Sequence, residues 1–123
     1  MHNLKATSIF SVDLAQFDNK VLEASLEKLI LVDFWADWCP PCLTIGPILE
    51  KLTIEMNGQI ALAKIEVDEG ENMKLAGRYQ VRGFPTILLI RERQEIARFS
   101  GAKPAHFVRQ LIESHLGEGH KPQ

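Results

Sequence analysis

The chain has 123 residues, of which 46% are hydrophobic and 24% charged, and this composition predicts one globular domain rather than a disordered chain or a coiled coil. Its net charge of -2 predicts no nucleic-acid or anionic-membrane partner. No targeting segment and no apolar run approaching the roughly 20 residues of a membrane span are visible, so we expect a cytoplasmic protein. The domain is expected over residues 1–116, followed by a frayed tail over 117–123.

Apolar periodicity predicts strands and helices in alternation along the chain. The predicted elements are a strand over 7–12, a helix to about 25, a strand over 29–35, a helix from 43 to about 56, a strand over 60–67, a short helix over 70–76, strands over 86–90 and 95–100, and a helix over 104–116. Helical crossovers predict parallel pairing of the early strands, and the tight connection late in the chain predicts an antiparallel pair. The fold class is therefore α/β, a mixed central sheet flanked by helices in the order β-α-β-α-β-α-β-β-α.

Residues with known preferences for helix ends set the expected boundaries. Asp13 and Gln16 have the spacing of a capping box at the start of the first helix. Gly77 is expected to end the short third helix as its C-cap. Pro104 suits the first position of the last helix, and Gly117 its end.

The chemically informative segment holds the chain's two cysteines, Cys39 and Cys42, between a buried strand and a helix. A helix N-terminus favours a thiolate, which is the nucleophilic form of cysteine. Cys39 precedes the helix and is expected to be the exposed, low-pKa thiol, while Cys42 in the first turn is less accessible. The alternatives for such a pair are half of a metal site or two structural cysteines. No metal is expected, because the histidines lack ligand-like spacing to the motif: His2, His106, His115 and His120.

The sequence from Leu31 to Cys42, LVDFWADWCPPC, resembles the active-site signature of the thioredoxin family. The similarity covers about residues 7–116. It continues through Pro47-Ile48-Leu49, residues 63–68, residues 79–86 and Gly101. This resemblance implies the thioredoxin fold and thiol–disulfide oxidoreductase activity without a bound cofactor. It also implies protein disulfides as substrates and a flavoprotein thioredoxin reductase as the recycling partner.

The resemblance implies a role for each residue of the site. Cys39 matches the nucleophile and Cys42 the resolving thiol. Asp33 matches the buried carboxylate beneath the redox pair, Lys64 the lysine near that acid, and Pro85 the cis-proline. A physical reason supports the role of Asp33, since it interrupts an apolar strand. Burial raises the pKa of a carboxyl toward the range in which it accepts a proton from a thiol.

A substrate-binding surface is expected around Cys39. A cis bond at Pro85 leaves the backbone of Phe84 as a short edge that pairs with an extended segment of substrate. Trp38, Phe84, Pro85 and Ala102 then form an apolar rim. The residues predicted to bind substrate are Trp38, Pro40, Pro41, Gly83, Phe84, Gly101 and Ala102.

The sequence departs from the usual family pattern at three places. Pro40 stands where glycine is most common, Leu43 stands where a basic residue is common, and the hairpin segment 91–95 has no glycine. The Pro40-Pro41 pair also resembles tryparedoxins and nucleoredoxins. Because neither proline has a backbone N–H to donate to the Cys39 thiolate, the couple is expected to be reducing rather than oxidising.

Two other function classes compete with the monomeric reductase that we favour. One is a binding module or holdase that uses the apolar rim, which Leu43 and Phe84 would suit. The other is a dimer bridged by a metal cluster through Cys39 and Cys42. Reduction of insulin disulfides in the presence of dithiothreitol separates the first alternative from a reductase, because a pure binding module adds nothing to the background rate.

Overall fold

The computed structural model describes residues 8–119. Its elements are β1 (Ile9–Ser11), a helical segment over residues 14–26, β2 (Leu29–Trp35), α1 (Pro40–Glu55), β3 (Ile60–Glu66), α2 (Met73–Arg78), β4 (Thr86–Arg91), β5 (Gln94–Ser100) and α3 (Ala105–Gly119). This order agrees with the predicted one. No helix of this part of the chain is long and apolar enough to cross a membrane.

The five strands form one mixed sheet in the order β1-β3-β2-β4-β5. The β1–β3 and β2–β3 pairs are parallel, and the β2–β4 and β4–β5 pairs are antiparallel. Successive side chains of a strand point to opposite faces. In β2, Leu31 packs with α1 and α3, while Val32 packs in a second apolar cluster with Phe17 of the helical segment and Leu75 of α2. The predicted mixed sheet flanked by helices is confirmed.

The first helical segment differs from the single helix predicted there. It consists of a 3₁₀ turn, a π-helical stretch over residues 18–23 and a second 3₁₀ turn. Phe17, Val21 and Ser25 are buried at every fourth position, and a strict 3.6-residue period does not keep such residues in line. The predicted capping box is present, because Gln16 N–H donates to Asp13 Oδ1 at 3.0 Å and Asp13 N–H to Gln16 Oε1 at 3.2 Å.

Two helices in the middle of the chain differ in their bounds from the apolar periodicity. Helix α1 begins at Pro40, before the periodicity starts at Leu43, because Pro40 and Pro41 occupy its first positions, where a backbone N–H has no partner within the helix. Cys42 therefore lies in its first turn, as expected. Gly77 is not a C-cap, since α2 runs through it to Arg78. The left-handed backbone that follows this helix is at Gln80, with φ of 56°.

The last helix also differs from its predicted bounds. It begins at Ala105, directly after Pro104, and it extends to Gly119 rather than ending at Gly117. The Pro104 carbonyl accepts the N–H of Phe107 at 3.0 Å and so forms a hydrogen bond with the first turn of the helix. The rest of the predicted frayed tail, residues 120–123, lies outside the described residues.

The β4–β5 hairpin turns without glycine at Glu92 and Arg93, which have φ values of 52° and 68°. Left-handed backbone is unfavourable for such residues by about 1 kcal/mol or more. Hydrogen bonds to the first helical segment offset this unfavourable energy. Ser25 accepts the Glu92 N–H at its carbonyl and the Arg93 N–H at its hydroxyl, both at 2.8 Å. The turn is therefore held by a residue far away in the sequence.

Candidate active site

Cys39 and Cys42 lie at the N-terminus of α1 and are joined by a disulfide bond, with their Cα atoms 5.3 Å apart. Cys39 is the N-cap residue, and its Sγ accepts the backbone N–H of Cys42 at 3.3 Å. The N–H groups and the positive end of the helix dipole favour negative charge at this position. The pair therefore has the geometry of a dithiol that closes to a disulfide and opens to a stabilised thiolate.

The accessibility of Cys39 differs from the expectation of an exposed thiol. Cys39 is 4% exposed and Cys42 is 2% exposed, so both sulfurs are covered in the disulfide form. Cys39 Sγ is bonded to Cys42, and it lies 3.6 Å from the carbonyl oxygen of Phe84. The loop before β4 thus lies against Cys39, a contact between distant segments that the local motif does not indicate.

The Phe84–Pro85 peptide bond is cis, in agreement with what the family resemblance implies. Two hydrogen bonds hold this turn. Gly101 N–H donates to the Pro85 carbonyl at 3.0 Å, and the Thr86 hydroxyl donates to the Gly83 carbonyl at 2.6 Å. Gly101 has φ of 89°, which glycine adopts without a steric penalty. The two loops at this end of β4 and β5 are thus fixed to each other beside Cys39.

An apolar surface surrounds the covered disulfide. Trp38 is 60% exposed and Leu43 is 53% exposed. The Trp38 ring meets the Phe84 ring edge to face at a centroid distance of 6.2 Å, and its indole N–H donates to the Asp68 carboxylate. Four more of the residues predicted to bind substrate are exposed: Pro40, Pro41, Gly83 and Ala102. An exposed tryptophan held by a hydrogen bond offers a preformed contact for a partner.

Asp33 is buried on β2, and its Oδ1 has no hydrogen-bond partner. Burial raises the pKa of this carboxyl from an ordinary 3.8 to about 7. The positive charge of Lys64 lowers the pKa and the negative charge of Glu50 raises it. Alternation along β2 places Asp33 on the same face of the sheet as Leu31, the face that α1 covers. A carboxyl with a pKa near 7 gains and loses a proton at neutral pH.

Lys64 of β3 is the register partner of Asp33, as expected for a lysine near the buried acid. Its ammonium lies 2.7 Å from Glu50 of α1 and 5.4 Å from the centre of the Trp35 ring. Glu50 is not among the site residues predicted from the sequence. Lys64 indicates that such a residue exists, because a cation in an apolar strand needs a counterion. Glu50 is a carboxylate on the helix that covers that face of the sheet.

No group of three or more potential metal ligands is present among the residues that the structure describes. His106 is exposed on α3, and His115 Nδ1 lies 3.0 Å from the Leu111 carbonyl within the same helix. His2 and His120 lie outside the described residues.

The family model for thioredoxin matches residues 8–114 of the chain. The chain belongs to the thioredoxin family. The thioredoxin of Chlorobaculum thiosulfatiphilum is 36% identical over 112 residues, which cover 91% of this chain and 100% of that relative. The thioredoxin of Bacillus subtilis is 40% identical over 90 residues, 73% of this chain and 85% of the relative. A protein named thioredoxin 2 from Chlorobaculum tepidum is 38% identical over 91 residues, 74% and 82% of the two chains.

Family membership and the cysteine pair together establish the activity. The chain carries a Cys-x-x-Cys pair at disulfide distance, in the family of the protein-disulfide reductases. It is a thiol–disulfide oxidoreductase that acts on protein disulfides, as the sequence predicts. Its redox-active centre is the Cys39–Cys42 pair.

Proposed function

We propose that the protein reduces disulfides by a two-step exchange in which Cys39 attacks and Cys42 resolves. The Cys39 thiolate bonds to one substrate sulfur, the substrate disulfide breaks, and the other substrate sulfur leaves as a thiolate. The Cys42 thiolate then bonds to Cys39 Sγ and releases the second substrate thiolate. Two electrons pass to the substrate and the Cys39–Cys42 disulfide remains. The observation that carries this proposal is the N-cap position of Cys39, whose sulfur accepts a backbone N–H of the first helical turn.

Asp33 is the proton acceptor for Cys42 in this proposal. The Cys42 thiol has to lose its proton before it attacks, and it is buried away from bulk water. Asp33 is the buried carboxyl on the strand that leads into the cysteine loop, with a pKa of about 7. A base with a pKa near the working pH is present in its ionised form and still binds the proton.

Substrate binds across the apolar surface in our proposal. Trp38 and Leu43 contact the partner, and an extended substrate segment pairs with the backbone at Phe84 beside Pro85. Main-chain pairing suits a reductase of many partners, since it does not depend on the side chains of the substrate. The remaining residues that we propose for this surface are Pro40, Pro41, Gly83, Gly101 and Ala102.

Turnover requires a source of electrons for the oxidised pair. We propose a flavoprotein thioredoxin reductase as that source and the cytoplasm as the compartment, because a disulfide reductase works where thiols are kept reduced. A single copy holds both cysteines and Asp33, so the proposal needs only a monomer.

Trapping of mixed disulfides tests the order of attack. Cys42→Ser leaves the attacking thiol without its resolving partner, and we expect substrate proteins to remain joined to Cys39, where mass spectrometry identifies the linked peptides. Cys39→Ser is the matched control and is expected to capture few partners. Accumulation of mixed disulfides on Cys42 in the control, with none on Cys39 in Cys42→Ser, would contradict the proposed order.

A further inference from the structure

The ammonium of Lys64 is paired with a carboxylate other than the buried one beside it. Lys64 and Asp33 are register partners on adjacent parallel strands, and such partners point to the same face of a sheet. The ammonium nevertheless lies 2.7 Å from Glu50 on α1, and Asp33 Oδ1 has no hydrogen-bond partner. Among the described residues, Lys64 forms an ion pair with Glu50 and not with Asp33.

The electrostatics around Asp33 depend on few groups. From β3 the charged neighbour is Lys64, and from α1 it is Glu50. Helix α1 also carries Cys39 and Cys42, which are uncharged as a disulfide, and the register partner on β4 is the apolar Ile87. Burial has the largest influence on how readily Asp33 ionises, and among these charged groups the Lys64 ammonium has the largest influence, so its position matters.

We propose that Glu50 is a positioning residue that holds the Lys64 ammonium away from Asp33, so that the buried carboxyl both binds and releases a proton near neutral pH. This inference rests on the proposed role of Asp33 as the proton acceptor for Cys42. A lysine side chain has a flexible four-carbon stem, so its ammonium moves when its partner is lost. Without Glu50, the ammonium turns toward Asp33, stabilises the carboxylate, and weakens the acid's hold on its proton.

Glu50→Gln removes the charge and keeps the size of the side chain. An opposite charge within about 4–6 Å lowers a carboxyl pKa by about 1–3, so we expect the midpoint of the Asp33 titration to fall by about one pH unit. The midpoint is measured in the oxidised protein by NMR of ¹³C-labelled aspartate carboxyls, with the Asp33 signal assigned from its loss in Asp33→Asn. Glu55→Gln is the matched control, because Glu55 is a carboxylate of the same helix that pairs with Arg109 at 2.8 Å. This control is expected to leave the midpoint unchanged.

A double-mutant cycle separates positioning from simple repulsion between Glu50 and Asp33. In a Lys64→Met background there is no ammonium to release, so Glu50→Gln is expected to lower the midpoint by less than half of its effect in the wild-type background. Glu50→Asp retains the charge and is expected to restore most of the wild-type midpoint. Equal shifts with and without Lys64 would show that Glu50 acts only by direct repulsion, and the inference would be wrong. An unchanged midpoint in Glu50→Gln would also overturn it.

A kinetic measurement keeps this inference distinct from the proposed role of Asp33. A mixed disulfide of Cys39 with thionitrobenzoate is formed at low pH, and its release by Cys42 is followed by absorbance after a jump to higher pH. In Glu50→Gln the midpoint of the rate profile is expected to move to lower pH together with the NMR midpoint. If Asp33→Asn keeps the wild-type profile, the proton-acceptor role fails, while the NMR titration still decides whether Glu50 positions Lys64.

Discussion

Replacing Asp33 by asparagine should change how the stability of the protein depends on pH. The folded state holds the Asp33 proton up to a pKa of about 7, whereas the ordinary pKa of the carboxyl is 3.8. Between these two values the native state binds one more proton than the unfolded state, so the free energy of unfolding falls as pH rises. The stabilisation from the neutral acid is complete below about pH 4 and is lost above about pH 7. The asparagine of the variant has no proton to lose over this interval.

The magnitude follows from the size of the pKa change. The difference between 3.8 and about 7, at about 1.4 kcal/mol per pKa unit, corresponds to about 4 kcal/mol. We expect the free energy of unfolding of Asp33→Asn, relative to wild type, to rise by up to about 4 kcal/mol between pH 4 and pH 8. The side-chain amide of the variant also changes the free energy of unfolding. This change is the same at every pH, because the amide does not titrate and the hydrogen bonds that it lacks are missing at every pH.

The assay is urea unfolding of the oxidised protein at several pH values, followed by tryptophan fluorescence. Asp18→Asn is the matched control, since Asp18 is an exposed carboxylate in a loose ion pair with Arg78 at 3.7 Å, and exposed pairs contribute about 0–1 kcal/mol. The control is expected to differ from wild type by a small amount that is the same from pH 5 to pH 8. Parallel stability curves for Asp33→Asn and wild type across this range would refute the reasoning, because they would mean that Asp33 titrates alike in both states.

Two further substitutions test the local backbone. Pro40→His restores an N–H donor beside the Cys39 thiolate and is expected to make the couple more oxidising by about 30 mV, a tenfold change in the equilibrium with glutathione. Alkylation of free thiols in glutathione buffers measures this, and an unchanged or more reducing potential would contradict it. Gly101→Ala is expected to lower the free energy of unfolding by about 1–3 kcal/mol, because φ is 89° there. The control Gly77→Ala, in open space within α2, is expected to raise it by about 0.5–1 kcal/mol. Equal effects of the two glycine changes in urea unfolding would argue against backbone strain at Gly101.

The sequence by itself determined the framework of this protein. The apolar run of β2 ends where the structure ends it, at Leu29 and Trp35, because a strand buried on both faces needs apolar residues at every position. Asp33 is conspicuous for the same reason, since it is the one charge in that run. The cysteine motif between a strand and a helix likewise indicated the redox chemistry, because helix N-termini favour thiolates whatever the rest of the fold.

Contacts between distant segments decided the remaining features of the site and of the hairpin turn. Local sequence carries little information about such contacts. The cover over Cys39 comes from the carbonyl of Phe84, and the left-handed turn at Glu92 depends on a hydrogen bond to Ser25. The pairing of Lys64 with Glu50 rather than with Asp33 is a choice between two carboxylates. That choice depends on where the packing of α1 against the sheet places each of them. Tertiary structure thus set the accessibility of Cys39 and the charge around the buried acid, because both follow from which segments meet in space.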